Sequence, residues 1–385
     1  MTTLRGITWN HTRGFLPKVA TAQRFQELHP DVEIQWQTRS LQAFADFSIE
    51  QLAAKFDLLV IDHPSIGEAA THGLFVPFDT VLPKSFLDDQ AAQSVGSSHR
   101  SYEYDGHQWA LAIDAATPVS TARRDLLDRD GLSVPQTWDE LMQLAKAGHV
   151  VVPAIPIDSL MNLFMLWLDE GEIPCATPER FGSDEIGERA LNALRELVTA
   201  CDPACLKRNP IQTYEAMTRS NSLFYCPFAY GYSNYSRPAY AGALLEAGPL
   251  VERKRGRLRS TLGGAGLAVS AASPHRELAV DYARFVASAP VQAGIYVQAG
   301  GQPGYRAAWL DAEANHLSNQ YFRRTLSTLD EAWQRPRYPG YIEFQNDAGQ
   351  VVHAWLRGES NLRTTLDTLN RLHRDYTQKQ LTRHQ

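Results

Sequence analysis

The stretch Thr261-Leu262-Gly263-Gly264-Ala265-Gly266-Leu267-Ala268-Val269-Ser270, followed by a helical pattern from about Pro274 to Ser288, decides how this chain folds. An apolar run entered through glycines and left into a helix reads as one strand–helix unit. Its glycines are not a dinucleotide fingerprint, because the third glycine is missing and no acidic residue follows at the ribose-binding distance. The Lys-Ser/Thr of a phosphate loop is missing too. Glycines entering a strand mark instead a close approach of backbone to a ligand or to another segment. Gly300-Gly301-Gln302-Pro303-Gly304-Tyr305 has the same character and is suited to offering backbone amides to a polar group.

Working outward, the first hundred residues alternate between strand and helix patterns. Leu4 to Trp9 is a short apolar strand, Leu16 to Leu28 has helical spacing, and Val32, Ile34 and Trp36 alternate with polar neighbours. Phe56 to Ile61 is a compact apolar run of the kind found in a central parallel strand. Strands separated by helices imply βαβ units and a parallel sheet, whose ligands bind at the carboxyl ends of the strands. Trp9-Asn10-His11-Thr12-Arg13 follows the first such end, Arg39 the second, and Asp62-His63-Pro64 the third. The helix opening at Arg13 to Pro17 would favour an anionic group. An Arg13 or Arg39 guanidinium could pair with it in bidentate fashion.

The middle third differs. Thr137 and Glu140 have capping-box spacing, Val150 to Val152 reads as a strand, and helices are expected near 159–169 and 185–200. Ser222 to Tyr235 reads as a strand running into an aromatic loop, with Pro227 expected to end any regular central strand. Tyr230, Tyr232 and Tyr235 offer flat faces and hydroxyls to a sugar or aromatic ring. The last seventy or so residues read as helical, broken near Pro336 and Pro339. Because Gly263 to Ser288 repeats the strand–helix type of the first segment, the chain is expected to leave its first domain and later return to it.

Bulk properties remove several function classes. The chain has 385 residues, 44% hydrophobic and 21% charged, and needs no disulfide or metal to build a core. A formal net charge of −6 argues against general nucleic-acid binding, and the basic run Arg253 to Arg259 is read as a solvated hairpin or loop. No apolar run reaches membrane-spanning length. Nucleophile-elbow, zinc-protease and kinase signatures are absent, and the twelve histidines lack metal-ligand spacing, so neither catalytic residues nor a metal or cofactor are expected. His11, His63 and His107 read as hydrogen-bonding residues rather than catalysts. Cys175, Cys201, Cys205 and Cys226 are compatible with free thiols or with one local disulfide.

Several pieces together resemble the family 1 extracellular solute-binding proteins of ABC importers, the group that includes maltose- and other carbohydrate-binding proteins. They are Phe75-Val76-Pro77-Phe78-Asp79, Asp105 to Ile113, Gly131 to Leu141, Gly263 to Ser270 with its helix, and Gln302-Pro303 before Arg306. The resemblance implies an α/β, bilobed, type II periplasmic-binding-protein-like fold whose two lobes close around a ligand. Crossovers are implied near Ala112–Thr117, near Leu258–Gly263 and near 310–320. The lobes would then comprise 1–112 with 263–312, and 113–262 with 313–385.

The resemblance also places ligand contacts at Trp9, Asn10, His11 and Arg13, at Asp62 and His63, at Asp114, and at Tyr230, Tyr232 and Asn234. Others fall at Gly263 and Gly264, at Gln302 and Tyr305 on a rim loop, and at Tyr341. The implied function is capture of a small polar ligand, a carbohydrate or small organic acid, by a monomeric protein that serves an ABC permease. It involves neither nucleic acid nor membrane insertion. His11 and Arg13 beside Trp9 look readier for a carboxylate or phosphate than for a neutral sugar. Met1-Thr2-Thr3 leads straight into a strand, so the expected location is cytoplasmic if Met1 is the native start and periplasmic if a leader was removed. A cytoplasmic sensor or carrier with the same fold is the main alternative. A hydrolase or transferase using Asp62 and Asp114 is the less favoured one.

Overall fold

The structure is a computed structural model that describes residues 1–40 and 48–383. Among the described residues, ten strands make two principal sheets and one small hairpin. In chain order the strands are β1 Thr2–Trp9, β2 Val32–Arg39, β3 Leu58–Ile61, β4 Glu103–Tyr104, β5 His107–Gln108, β6 Leu111–Ala116, β7 Pro118–Ala122, β8 Tyr225–Tyr230, β9 Glu246–Gly248 and β10 Gly263–Val269. The helices needed below are α1 Thr12–Leu28, α2 Pro156–Glu170, α3 Asp184–Ala200, α4 Arg276–Ala287, α5 Tyr321–Asp330, α6 Tyr341–Leu356 and α7 Leu362–Arg383.

The first sheet has the order β2-β1-β3-β10-β6. β1 is parallel to both β2 and β3, as the βαβ pattern requires. β10 is antiparallel to β3 and to β6, so it is not one more unit of the parallel type. The reason lies in where the chain leaves and returns. β6 ends at Ala116, which pairs with Gly263 at the start of β10. Departure and re-entry share one edge of the sheet, and a strand that enters where its neighbour exits must run the other way.

Successive residues of β3 divide between two cores. Leu58 and Val60 pack with α1 and α4, whereas Leu59 and Ile61 pack with Ile66, Phe75, Tyr102 and Ala112. A sheet covered on both faces wants an unbroken apolar run, which is what Leu58 to Ile61 supplies.

The second sheet, β8-β7-β9, is antiparallel throughout. β8 continues through Pro227 to Tyr230, which corrects the expectation that Pro227 ends it. It does so because β8 is an edge strand and its register with β7 shifts between Val119 and Thr121, so the missing N–H interrupts no regular ladder. Val150 to Val152 is not a strand either. Only Val150 forms an isolated bridge, to Tyr225, before Pro153. The Thr137/Glu140 capping box is present at the start of helix Trp138–Lys146.

The largest apolar core gathers α2, α3, α6 and α7 around the second sheet. A smaller one joins Ala115 of β6, Val119 of β7, Ala247 of β9, Leu262, Trp309, and Tyr321, Phe322 and Leu329 of α5. It packs where the chain passes from one sheet to the other. β6 and β7 are separated by Thr117 alone, so the expected break at 112 falls inside β6.

Arg253 and Lys254 are not a solvated run. They meet the buried Asp169 and Glu170 at the end of α2, with Arg253 Nη1 2.7 Å from Asp169 Oδ2 and Lys254 Nζ 2.8 Å from Glu170 Oε1. Cations at a helix C-terminus also offset its dipole. All four cysteines are free thiols. Among the described residues no helix is long and apolar enough to cross a membrane.

Candidate functional site

The ends of β1, β3 and β6 and the start of β10 lie along one edge of the first sheet, and most of the expected site residues sit there. His11 caps α1: its Nδ1 accepts from the Arg13 N–H at 3.0 Å, and its carbonyl accepts from the Gly14 and Phe15 N–H groups. Burial, and then the Arg13 charge, lower the His11 pKa to about 3, so the imidazole is neutral at physiological pH. The amides expected to attract an anion are therefore already bonded within the turn.

Arg13 is buried and spends its guanidinium inside the protein. Nε donates to Asp114 Oδ2 at 2.9 Å, Nη2 to Asp114 Oδ1, and Nη1 to the Gly231 carbonyl at 2.8 Å. Burial opposes the Arg13 charge, but the attraction and hydrogen bonding of Asp114 outweigh it and hold the pKa above its ordinary value. A fork-on-fork pair of this kind leaves neither partner free to grip a charged ligand. Deeper on α1, Lys18 is fully buried, donates to the Tyr296 hydroxyl at 2.7 Å and lies over the rings of Trp9 and Tyr296. Burial is the main cause that lowers its pKa to about 7.

A second cation–carboxylate pair forms at the end of β3. Arg335 Nη2 donates to Asp62 at 2.8 and 3.0 Å, and its Nη1 donates to Gln345 of α6 at 2.7 Å. Burial works to raise the Asp62 pKa, but Arg335 and His63 outweigh it and keep the group well below the usual carboxylate range. His63 is fully buried, with Nδ1 3.2 Å from Asp62, and burial first, then Arg335, lowers its pKa to about 4. The Tyr230 hydroxyl hydrogen-bonds Thr261 Oγ1 at 3.2 Å, and its ring covers Gly263, where an added Cβ would come within 2.4 Å of it. Tyr230 and Tyr341 both register the Arg335 charge, so this group is compact.

The aromatic segment faces the first group. Tyr232 stacks edge-on to His11 at 4.6 Å, and the Arg13 guanidinium lies 4.8 Å from its ring centre. Tyr240, further along, donates to Thr12 Oγ1 at 3.1 Å. Among the buried polar atoms with no hydrogen-bond partner within the described residues are Ser233 Oγ and Asn234 Oδ1 beside Tyr232, and Tyr341 Oη and Asp158 Oδ2. Such atoms are uncommon in native interiors. Asp158 lies in the first turn of α2, within electrostatic reach of Tyr230 and Tyr232. Burial raises its pKa to about 8.

Other expected residues stand apart. Asn10 is exposed, and its N–H goes to the Arg39 carbonyl. Arg39 is half-buried beside Trp9 in the β1–β2 register, and burial lowers its pKa to about 10. The Tyr305 hydroxyl is bonded to the exposed Asp89 at 2.9 Å. Gln302 is buried and tied to Ser233 N at 2.6 Å and to the Ala115 carbonyl at 3.1 Å. Gly264 has φ +102 and presses on the Asp114 carbonyl rather than facing open space.

The sequence reading did not single out Asp158, Lys18, Tyr240 or Arg335. A Pro-Ile-Asp opening a helix was the available signal for Asp158. Arg335, just before the expected loop break at Pro336, carried none. Among the described residues, one group with metal-ligand spacing is Glu50, Glu68 and His72, a surface ion-pair cluster.

Strand ends of the first sheet thus meet the aromatic segment and bring buried tyrosines and polar side chains together, the kind of lining that a small-molecule site uses. The chain belongs to the bacterial extracellular solute-binding proteins, whose family description matches residues 20–315. That family is one of binding proteins, not of enzymes. Solved structures agree on the fold. The maltose-bound MalE3 protein of T. maritima superimposes with a TM-score of 0.84 at 17% identity, covering 98% of this chain and 99% of that one. A tagatose-bound ABC transporter solute-binding protein of Thermotoga lettingae gives 0.83 at 17% identity, covering 98% and 100%. A ribitol complex from Agrobacterium radiobacter gives 0.82 at 18% identity, covering 98% of each chain.

Proposed function

We propose that this protein binds a neutral polyhydroxylated molecule, a sugar or sugar alcohol, between its lobes and delivers it as a monomer to an ABC permease. The observation that carries this reading is the charge balance of the cleft edge. Arg13 is spent on Asp114 and Arg335 on Asp62, while His11 is neutral. That arrangement disfavours the carboxylate or phosphate suggested by His11 and Arg13 in the sequence. What remains is tyrosine faces and unpaired polar atoms, the furniture of hydroxyl recognition. The maltose, ribitol and tagatose carried by similar structures belong to the same chemical class.

In this reading Trp9, Tyr230 and Tyr232 shape the pocket, and Asn234, Tyr341 and Asp158 bond hydroxyls. His11 and His63 line it, and Gly263 lets Tyr230 lie close. The lobes are 1–116 with 263–312 and 117–262 with 313–385, hinged at Thr117 and Leu262. Thermal unfolding against separate panels of neutral sugars, polyols, organic acids and phosphate esters tests the proposal. At a hundred-fold excess over Kd, a ligand adds about 2.7 kcal/mol to the folded state, which raises Tm measurably. Shifts confined to the neutral panels are expected. Shifts from the anionic panels alone would overturn the reading.

A further inference from the structure

We infer that Cys201 and Cys205 form a reversible intramolecular disulfide, leaving Cys226 as a thiol. Cys201 ends α3 as its C-cap residue with extended backbone (φ −96, ψ 168). The chain then turns back at once. Asp202 accepts the Ala204 N–H at 3.0 Å, and the Cys205 N–H donates to the Asp202 carbonyl at 2.8 Å, closing the short helix Pro203–Lys207. This tight turn brings Cys205 back towards Cys201, and both side chains are buried in the same apolar core.

Two further contacts prepare Cys205 as the attacking sulfur. Its Sγ accepts the Val152 N–H at 3.4 Å, and Arg208 stands close by. The neighbouring Cys201 thiol, then the Val152 N–H and the Arg208 charge, lower the Cys205 pKa against the opposing effect of burial, whereas Cys201 keeps its proton.

Cys226, on β8, is fully buried and senses the Cys205 charge. It does not complete a metal site: the three sulfurs are not among the groups whose ligand atoms lie within 4.8 Å of one another among the described residues. Cys175 sits elsewhere, near Tyr338.

The reaction requires an oxidising disulfide, such as oxidised glutathione or the active-site disulfide of a thiol oxidase. When the turn opens locally, the Cys205 thiolate attacks one sulfur of that disulfide, releasing one thiol and forming a mixed disulfide. The Cys201 thiol then loses its proton and attacks Cys205 Sγ, displacing the second thiol. Two protons and two electrons pass from the pair to the oxidant. Solvent reaches the turn through Asp202 and Pro203, both exposed.

The full chain, folded and reduced, is incubated with oxidised glutathione, then unfolded, alkylated with iodoacetamide and mapped by peptide mass spectrometry. The expected result is a Cys201–Cys205 linked peptide, with Cys175 and Cys226 alkylated and all four thiols recovered after dithiothreitol. Cys226→Ser should form the same bond, and Cys205→Ser should form none. Alkylation of all four thiols in the wild-type chain, a bond to Cys226, or a stable glutathione adduct at either cysteine would overturn the inference.

Discussion

Arg13 shows how a residue can be correctly located and wrongly employed. Its place after β1 is plain from the sequence, but its partner Asp114 is a hundred residues away, and only the fold reveals that each consumes the other. Removing one member of a buried pair strands the other's charge, at a cost of about 3–5 kcal/mol, while replacing both with apolar side chains is often neutral. Arg13→Met should therefore lower urea-unfolding stability by about that amount, and Arg13→Met with Asp114→Leu should recover most of it. Equal losses in the single and double variants would show that the bond from Arg13 to the Gly231 carbonyl matters more than the ion pair. Asp158 supplies the opposite case, a carboxyl that burial holds protonated. Its pKa is about 8 when folded against the usual 3.8, so the folded state retains a proton that the unfolded chain releases. That contribution is largest at pH below 4, declines as the pH rises from about 4 to 8, and is lost above it. Asp158→Asn should flatten this decline and raise Tm near pH 8. An unchanged pH profile would place the titration elsewhere.

At the level of elements, the glycine-entered strand β10 was legible as a strand returning to the Ala110–Asp114 segment, most of which lies in its partner β6. Its direction was not, because direction follows from where β6 exits the sheet, and no local periodicity records that. The β8 edge was hidden for a related reason: Pro227 is tolerated only because β8 is an edge strand and β7 shifts register opposite it. Added side chains at Gly263 and Gly264 would be expected to impair binding more than folding if both faced the ligand cleft, yet the two positions differ. At Gly264 a Cβ would meet the Asp114 carbonyl at 2.3 Å in a backbone with φ +102. Neither neighbouring backbone nor left-handed geometry yields cheaply, so Gly264→Ala should cost on the order of 1–3 kcal/mol or more in chemical denaturation. At Gly263 the obstacle is the Tyr230 ring, which can swing aside. Gly263→Ala should keep its unfolding midpoint close to wild type while weakening the ligand-induced Tm shift. A folding defect at Gly263 as large as at Gly264 would contradict this division.

For the whole molecule, a bilobed α/β fold was legible from the order of strand–helix units and from family resemblance. The contacts that hold the lobes against each other were not, since they join side chains to loop carbonyls or to side chains more than two hundred residues away, with no sequence signature. Tyr240 donates to Thr12 at the start of α1, and Arg237 reaches the carbonyls of Val297 and, at 3.2 Å, Gln298. Arg335 meets Asp62, and Arg337 spans to the carbonyls of Arg100 and Ser101 at 3.1 Å each. These bonds bias an open–closed equilibrium toward closure, and a ligand binding only the closed form adds to the same bias. Loosening them must then tax affinity by the fraction of closed protein lost. Tyr240→Phe with Arg237→Ala leaves both arginine–carboxylate pairs intact, so the lobes themselves should fold normally. The variant should show a larger radius of gyration by small-angle X-ray scattering without ligand, and return to the wild-type value at saturating ligand with a weaker Kd. If the unliganded radius does not change, closure is held by Arg335 and Arg337, and the same measurement on Arg337→Ala should show the expansion instead.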